Sequence, residues 1–237
     1  MKRLISLIVL FALLVCSSAL AYAGAIPNQK LSFRTGPNTK YAEMFTLPQS
    51  TNIIAHEFEE GNGVTWVLCE FIYKGKTYFG YTGLKRMTLL DDIDYAYHDY
   101  TPGCMTRSSA VYSAPFTYNS VERGRVSANE VVNLLRFDGS MAYVEFYDSG
   151  SKAISRGWVP ADYVELYYGY DAAIITDGGK VYSGPGSNYR SVGRVGDKEL
   201  VMSGETSGNY REILFYSSNS RDLEYGYVKT SSVEWLF

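Results

Sequence analysis

Few residues in this chain have the chemistry for catalysis, and their spacing is poor for it. There are three cysteines and two histidines in 237 residues. A Cys/His nucleophile needs a thiolate activated by a nearby imidazole. Cys104 has no histidine downstream, Cys69 has only His98, and only His98 lies near Cys104 along the chain. A zinc site needs several His or Cys ligands at close spacing, and none is visible. Asp91, Asp92, Asp94 and Asp99 have the oxygen ligands calcium prefers. They lack the Asp-x-Asp-x-Asp-Gly loop with its closing Glu, and a solvated linker explains them better. No metal and no cofactor is expected. What remains is aromatic: 22 tyrosines and 11 phenylalanines. A tyrosine packs through its ring and hydrogen-bonds through its hydroxyl, so it suits a binding face.

Those tyrosines sit in a recurring figure. Leu31 to Tyr41 reads as a short strand, a Gly36-Pro37 turn and a closing aromatic. The figure returns from Ala110 to Tyr118 around Ala114-Pro115, and from Lys180 to Tyr189 around Gly184-Pro185. Ile26 precedes Phe33 by the interval that separates Met105 from Tyr112 and Ile175 from Tyr182. Each copy continues in the same order: a strand, a Gly-rich break, an aromatic-led strand opening at Trp66, Tyr143 or Tyr210, then Gly80-Tyr81, Gly157-Trp158 or Gly226-Tyr227. A turn of 3₁₀ helix is expected after each.

No stretch shows helical periodicity, and β-rich runs alternate with Gly, Pro, Asn, Asp and Ser clusters. The expected fold is all-β. It comprises about five short strands in each module of roughly 60 residues, near the lower size for an independent core. Closing each sheet into a small β-barrel removes its exposed edges. Residues 24–90, 103–167 and 168–237 are the three modules, with 91–102 an acidic, aromatic linker that packs against them.

Residues 1–23 read as a signal peptide. Lys2 and Arg3 precede an apolar run, and Ala21-Tyr22-Ala23 is an A-x-A cleavage site, with Ala25 the next choice. The apolar run is shorter than the roughly 20 residues of a bilayer span. Cleavage leaves 20 basic and 25 acidic residues, net −5. With no basic cluster, nucleic acid is not expected as a partner. The chain is therefore expected to be exported: secreted, periplasmic or associated with the cell wall. In that compartment Cys69 and Cys104 are either a disulfide or two separate buried thiols.

The ordered landmarks resemble the bacterial SH3-like (SH3b) domain family, most closely in Phe33-Arg34-Thr35-Gly36-Pro37-Asn38-Thr39-Lys40-Tyr41. The third copy keeps Ser183-Gly184-Pro185-Gly186-Ser187-Asn188-Tyr189; the second has drifted furthest but retains Gly157-Trp158-Val159. The resemblance implies three tandem SH3-like barrels and recognition of cell-wall peptidoglycan or its peptides. Such domains usually accompany a catalytic domain, and no stretch here is left over to house one. The expected function is non-catalytic binding. An envelope scaffold that reads extended peptides is the alternative, and a thiol hydrolase using Cys104 is a third. The expected ligand contacts lie at and beyond the Pro turns: Asn38, Tyr41, Tyr118, Asn119, Asn188 and Tyr189, with Trp66 at the head of its strand.

Overall fold

The computed structural model describes residues 22–116 and 119–236. Most of the expected signal peptide and Tyr118 lie outside the described residues.

Strand content follows from alternation. Ala23–Pro27 buries every second residue, as a pleated strand with one face on a core must. The first module has β1 (Ala23–Pro27), β2 (Leu31–Arg34), β3 (Glu43–Leu47), β4 (Ile53–Gly61), β5 (Val64–Tyr73), β6 (Lys76–Gly83) and β7 (Met87–Leu89). The second has β8 (Thr101–Met105), β9 (Ser109–Tyr112), β10 (Glu122–Val126), β11 (Val131–Asp138), β12 (Met141–Asp148), β13 (Ala153–Pro160) and β14 (Val164–Leu166). The third has β15 (Asp171–Ile175), β16 (Gly179–Tyr182), β17 (Ser191–Val195), β18 (Leu200–Ser207), β19 (Tyr210–Ser217), β20 (Asp222–Lys229) and β21 (Val233–Trp235). A three-residue 3₁₀ turn precedes the last strand of each: Leu84–Arg86, Ala161–Tyr163 and Thr230–Ser232. Among the described residues no helix is long and apolar enough to cross a membrane.

Each module is one seven-stranded antiparallel sheet, and the order is the same three times: β3-β2-β6-β5-β4-β1-β7 and its two echoes. This corrects two expectations. There are seven strand segments per module, and none of the sheets closes into a hydrogen-bonded barrel. The end strands are short, β7 having three residues. Leu47 of β3 and Met87 of β7 both contribute to the one core cluster of the module. The long hairpin of β4 and β5 turns at Asn62-Gly63, both at positive φ (53° and 67°). Asn tolerates and Gly favours that conformation, so the pair makes a tight reversal.

Strand pairing also fixes which residues are equivalent. Arg34 pairs with Tyr81, Tyr112 with Trp158 and Tyr182 with Tyr227. Arg34, not Phe33, therefore matches Tyr112 and Tyr182, and the sequence register of the first copy is out by one residue. The correction restores the core: Phe33, Val111 and Val181 are equivalent, and all are fully buried. A slip of one would have turned each side chain to the opposite face. In the same register Leu68 matches Tyr143 and Glu212, through their partners Tyr81, Trp158 and Tyr227 on the next strand.

Modules one and two meet about a pseudo-twofold axis. Thr35 Oγ1 donates to the Ile154 carbonyl (3.5 Å), and the equivalent Ser113 Oγ donates to the Thr77 carbonyl (2.7 Å), which is the position equivalent to Ile154. Each module lays the loop after its second strand along the start of the other's sixth. Ala42 N–H reaches the Ile154 carbonyl, while Phe79 N–H reaches the Ser113 carbonyl and Thr77 N–H that of Asn119. This is the self-complementary pattern of a twofold dimer, built inside one chain. The linker adds to it: Phe58 N–H donates to the Asp94 carbonyl, Ala96 N–H to that of Phe58, and Asp99 N–H to that of Leu135.

Candidate functional site

The seam between modules one and two collects most of the ionisable side chains that burial could tune. Arg156, on β13, is almost wholly buried. Its Nη1 and Nη2 donate to the two oxygens of Glu59 at 2.7 and 2.9 Å, and its Nε donates to Glu145 Oε1 at 2.8 Å. Tyr81 and Tyr100 donate their hydroxyls to Glu59 at 3.0 and 2.9 Å, and His98 Nε2 lies 3.0 Å from it. The guanidinium sits over the Tyr41 and Tyr81 rings, 5.2 and 5.4 Å from their centroids. Burial pushes the Glu59 carboxyl up, but Arg156 and His98 outweigh it and hold the group well below the usual range. Burial opposes charge on Arg156 too, yet Glu59, Tyr41 and Glu145 keep it firmly protonated.

A second crossing pair lies near the pseudo-axis. Arg136 donates to both Glu57 oxygens at 2.7 and 2.6 Å. Glu57 and Arg136 are equivalent positions, each just past the bulge in its strand. Around them pack the outer faces of the sheets. Leu68, Tyr81, Phe79 and Trp66 come from one module, with Leu135, Met141, Tyr143 and Trp158 from the other.

Most of the expected ligand residues belong to this seam or to the turns behind it. Tyr41 is 4% exposed and gives its hydroxyl to Glu145. Asn38 Oδ1 accepts from Asn62 Nδ2 at 3.1 Å and from Lys40 N–H at 3.2 Å, tying the Pro turn to the β4–β5 turn. Trp66 Nε1 donates to the Gly61 carbonyl at 3.1 Å. Asn119 accepts from Thr77 N–H and donates to Thr77 Oγ1 at 3.1 Å.

The thiols are placed for packing. Cys69 and Cys104 are both free and buried, the second of the two outcomes left open by the sequence. They lie in different clusters, Cys69 in the first core and Cys104 against the third module. Burial pushes both thiols up, whereas a nucleophile needs a depressed value. Among the described residues no group of three His, Cys, Asp or Glu side chains is arranged to hold a metal.

Module three presents the same outer face without a partner module on it. Tyr189, equivalent to Tyr41, is 47% exposed, and Asn188 beside it is exposed. The positions held by Trp66, Leu68, Phe79 and Tyr81 in module one carry Tyr210, Glu212, Tyr225 and Tyr227. Tyr225 is 47% exposed and its hydroxyl lies 2.7 Å from that of Tyr227. Tyr182 and Tyr210 meet edge to face at 6.2 Å. The hydroxyls of Tyr170 and Tyr225 hydrogen-bond Glu212. Sequence reasoning found Asn188 and Tyr189 but not the others. Their signal was a set of apolar outer-face positions replaced by tyrosine and glutamate, readable only once the strand register is known.

Fold and site together define an all-β chain of three like sheets, two closed face to face and one left open. No protein-family model matches the chain, and no curated protein matches it. Two solved structures align with it in part. NlpC1 from Trichomonas vaginalis is 14% identical over 59% of this chain and 47% of that one, with a TM-score of 0.26. NlpC2 from the same organism is 14% identical over 57% of this chain and 48% of that one, also with a TM-score of 0.26. The chain thus spans about half the length of each.

Proposed function

We propose that the chain is an exported, non-catalytic binding protein of three SH3-like modules that recognises cell-wall peptidoglycan or its peptides. The first two modules form a rigid base, and the third carries the binding face. One observation carries this reading: of three equivalent faces, two are spent on each other, and the third is exposed and rich in tyrosine. Tyr189 and Tyr225 offer ring area at little entropic cost, with hydroxyls left to hydrogen-bond a polar ligand. The buried, electrostatically unassisted thiols support a role without covalent chemistry.

The test is sedimentation with purified sacculi. The secreted form of the protein is expected in the pellet, and Tyr189→Ala with Tyr225→Ala is expected to return most of it to solution, as truncation of aromatic anchors does elsewhere. Retention of the intact protein in solution at every salt concentration overturns the wall reading.

A further inference from the structure

Modules one and two show what this face accepts. At each of their sixth strands the first residues form a sheet edge, because pairing with the second strand is confined to one residue pair. A foreign chain segment lies along that edge in both cases, bonded to the Phe79 and Thr77 amides in one and to the Ile154 carbonyl in the other. β20 has the same edge: only Tyr227 pairs with β16. Among the described residues no backbone partner lies on the Leu223–Tyr225 side of that strand away from β19. The Tyr225 amide, equivalent to that of Phe79, is therefore a donor on an open edge.

Charge is the second feature the template supplies. Glu57 takes the guanidinium of Arg136 from the opposite module. The equivalent residue of module three is Glu205, which is exposed and has no ion pair among the described residues. Residue counting across the bulge sets Glu205 opposite Glu212 on β19. Facing like charges destabilise a sheet unless a cation lies between or near them. A second copy of module three is a poor occupant, because the twofold arrangement would bring Glu205 against its own image.

We infer that the module-three face binds an extended peptide as an added strand along the start of β20, with a side-chain amine of that peptide seated at Glu205 and Glu212. The inference rests on the reading of this face as the binding face, and it specifies the ligand: an amine-bearing peptide in strand conformation, held by main-chain bonds for affinity and one charge for selectivity. Tyr189 and Tyr225 flank the edge as apolar walls.

The experiment titrates the intact protein with a capped octapeptide of alternating Thr and Ala carrying one central Lys. It is compared with the same peptide carrying norleucine, and with one whose central amide is N-methylated. Sacculi are tested before and after acetylation of their free amines. The Lys peptide is expected to bind at least about tenfold tighter than the norleucine peptide, the range for a charge-assisted contact. Glu205→Gln and Glu212→Gln should each bring the affinities for the Lys and norleucine peptides close to one another. N-methylation should abolish binding. Equal affinity for Lys and norleucine peptides, or no binding of either, overturns the inference. If sacculi still sediment the protein after acetylation, the wall reading stands and the amine requirement fails. If the Lys peptide binds selectively and native sacculi do not, the inference stands and the wall reading fails.

Discussion

Arg156 is buried, so its free energy is set by the carboxylates that face it. Removing one member of such a group costs far more than the group contributes net, because the others remain buried and uncompensated. Arg156→Ala leaves Glu59 and Glu145 without their shared cation and is expected to destabilise the protein by about 3–5 kcal/mol in urea unfolding. Glu59 also sets an acid limb. Its carboxyl titrates lower in the folded chain than its ordinary value of 4.5. The folded state thus binds fewer protons there than the unfolded state. The stability Glu59 contributes is complete above that ordinary value, and it is lost progressively as pH falls toward the depressed folded value. Unfolding free energy measured from pH 6 down to pH 3 should fall with a slope that Glu59→Gln reduces; an unchanged slope would locate the acid limb elsewhere. The pairing of Arg156 with Glu59 spans 97 residues, so no local pattern announced it. Tyr41 was legible as a special residue from its place after the turn, but its partner was not, and a groove residue and a seam residue look alike in one dimension.

At the scale of the element, the Gly-Pro turns show how a loop and a ring are matched. A Cβ on Gly36 would lie 2.3 Å from the Tyr41 ring, and one on Gly184 would lie 2.5 Å from the Tyr189 ring. The second module has alanine at this position, and backbone bonds from Ser113 to Val121 place Ser120 where the other copies have tyrosine. The drift from Gly-Pro to Ala-Pro thus follows loss of the ring, and the two changes are one event structurally. The two glycines should respond differently to alanine. Tyr41 is locked between Arg156 and Glu145, so Gly36→Ala must shift a buried network and should cost about 2–4 kcal/mol. Tyr189 is half exposed and free to swing away, so Gly184→Ala should cost under about 1 kcal/mol while weakening sacculus binding. Thermal unfolding of the two variants side by side checks the contrast, and equal costs would mean that Tyr189 is held as firmly as Tyr41. The strand-turn-aromatic figure and the all-β class were readable because glycine, proline and tyrosine mark those positions locally. The one-residue register error in the first copy arose because Phe33 and Arg34 compete for one landmark, and only cross-strand pairing separates them. The extra strands were hidden for a similar reason: β3, β10 and β17 are short and half-buried, without the alternation that marks a strand with one clean face.

For the whole molecule, the seam makes modules one and two a single folding unit, and the third an attachment to it. Trp66, Leu68, Phe79 and Tyr81 pack with Ala114 and Phe116 of module two, so residues 24–90 alone would expose a contiguous apolar face. Residues 24–167 retain both halves of the pseudo-twofold and are expected to unfold in one cooperative transition, whereas residues 24–90 are expected to be unfolded or aggregated. The join to module three is different in kind. It is made by Cys104 and Val131 of module two against Leu200 and Met202 of module three, with Tyr41, Ile154 and Ile174 meeting in a small cluster where all three modules touch. Cys104 is 3% exposed and packs with Val131 of its own module and with Leu200 and Met202 of module three, whereas Cys69 is enclosed by its own core. Alkylation rates of the two thiols therefore report the join. In the intact protein both should be protected. In residues 24–167 Cys104 should react rapidly while Cys69 stays protected, because removing module three uncovers only the former. Continued protection of Cys104 in the shortened chain would show that module two covers it unaided, and the third module would then be free to pivot on the base rather than hold its tyrosine face at a fixed angle.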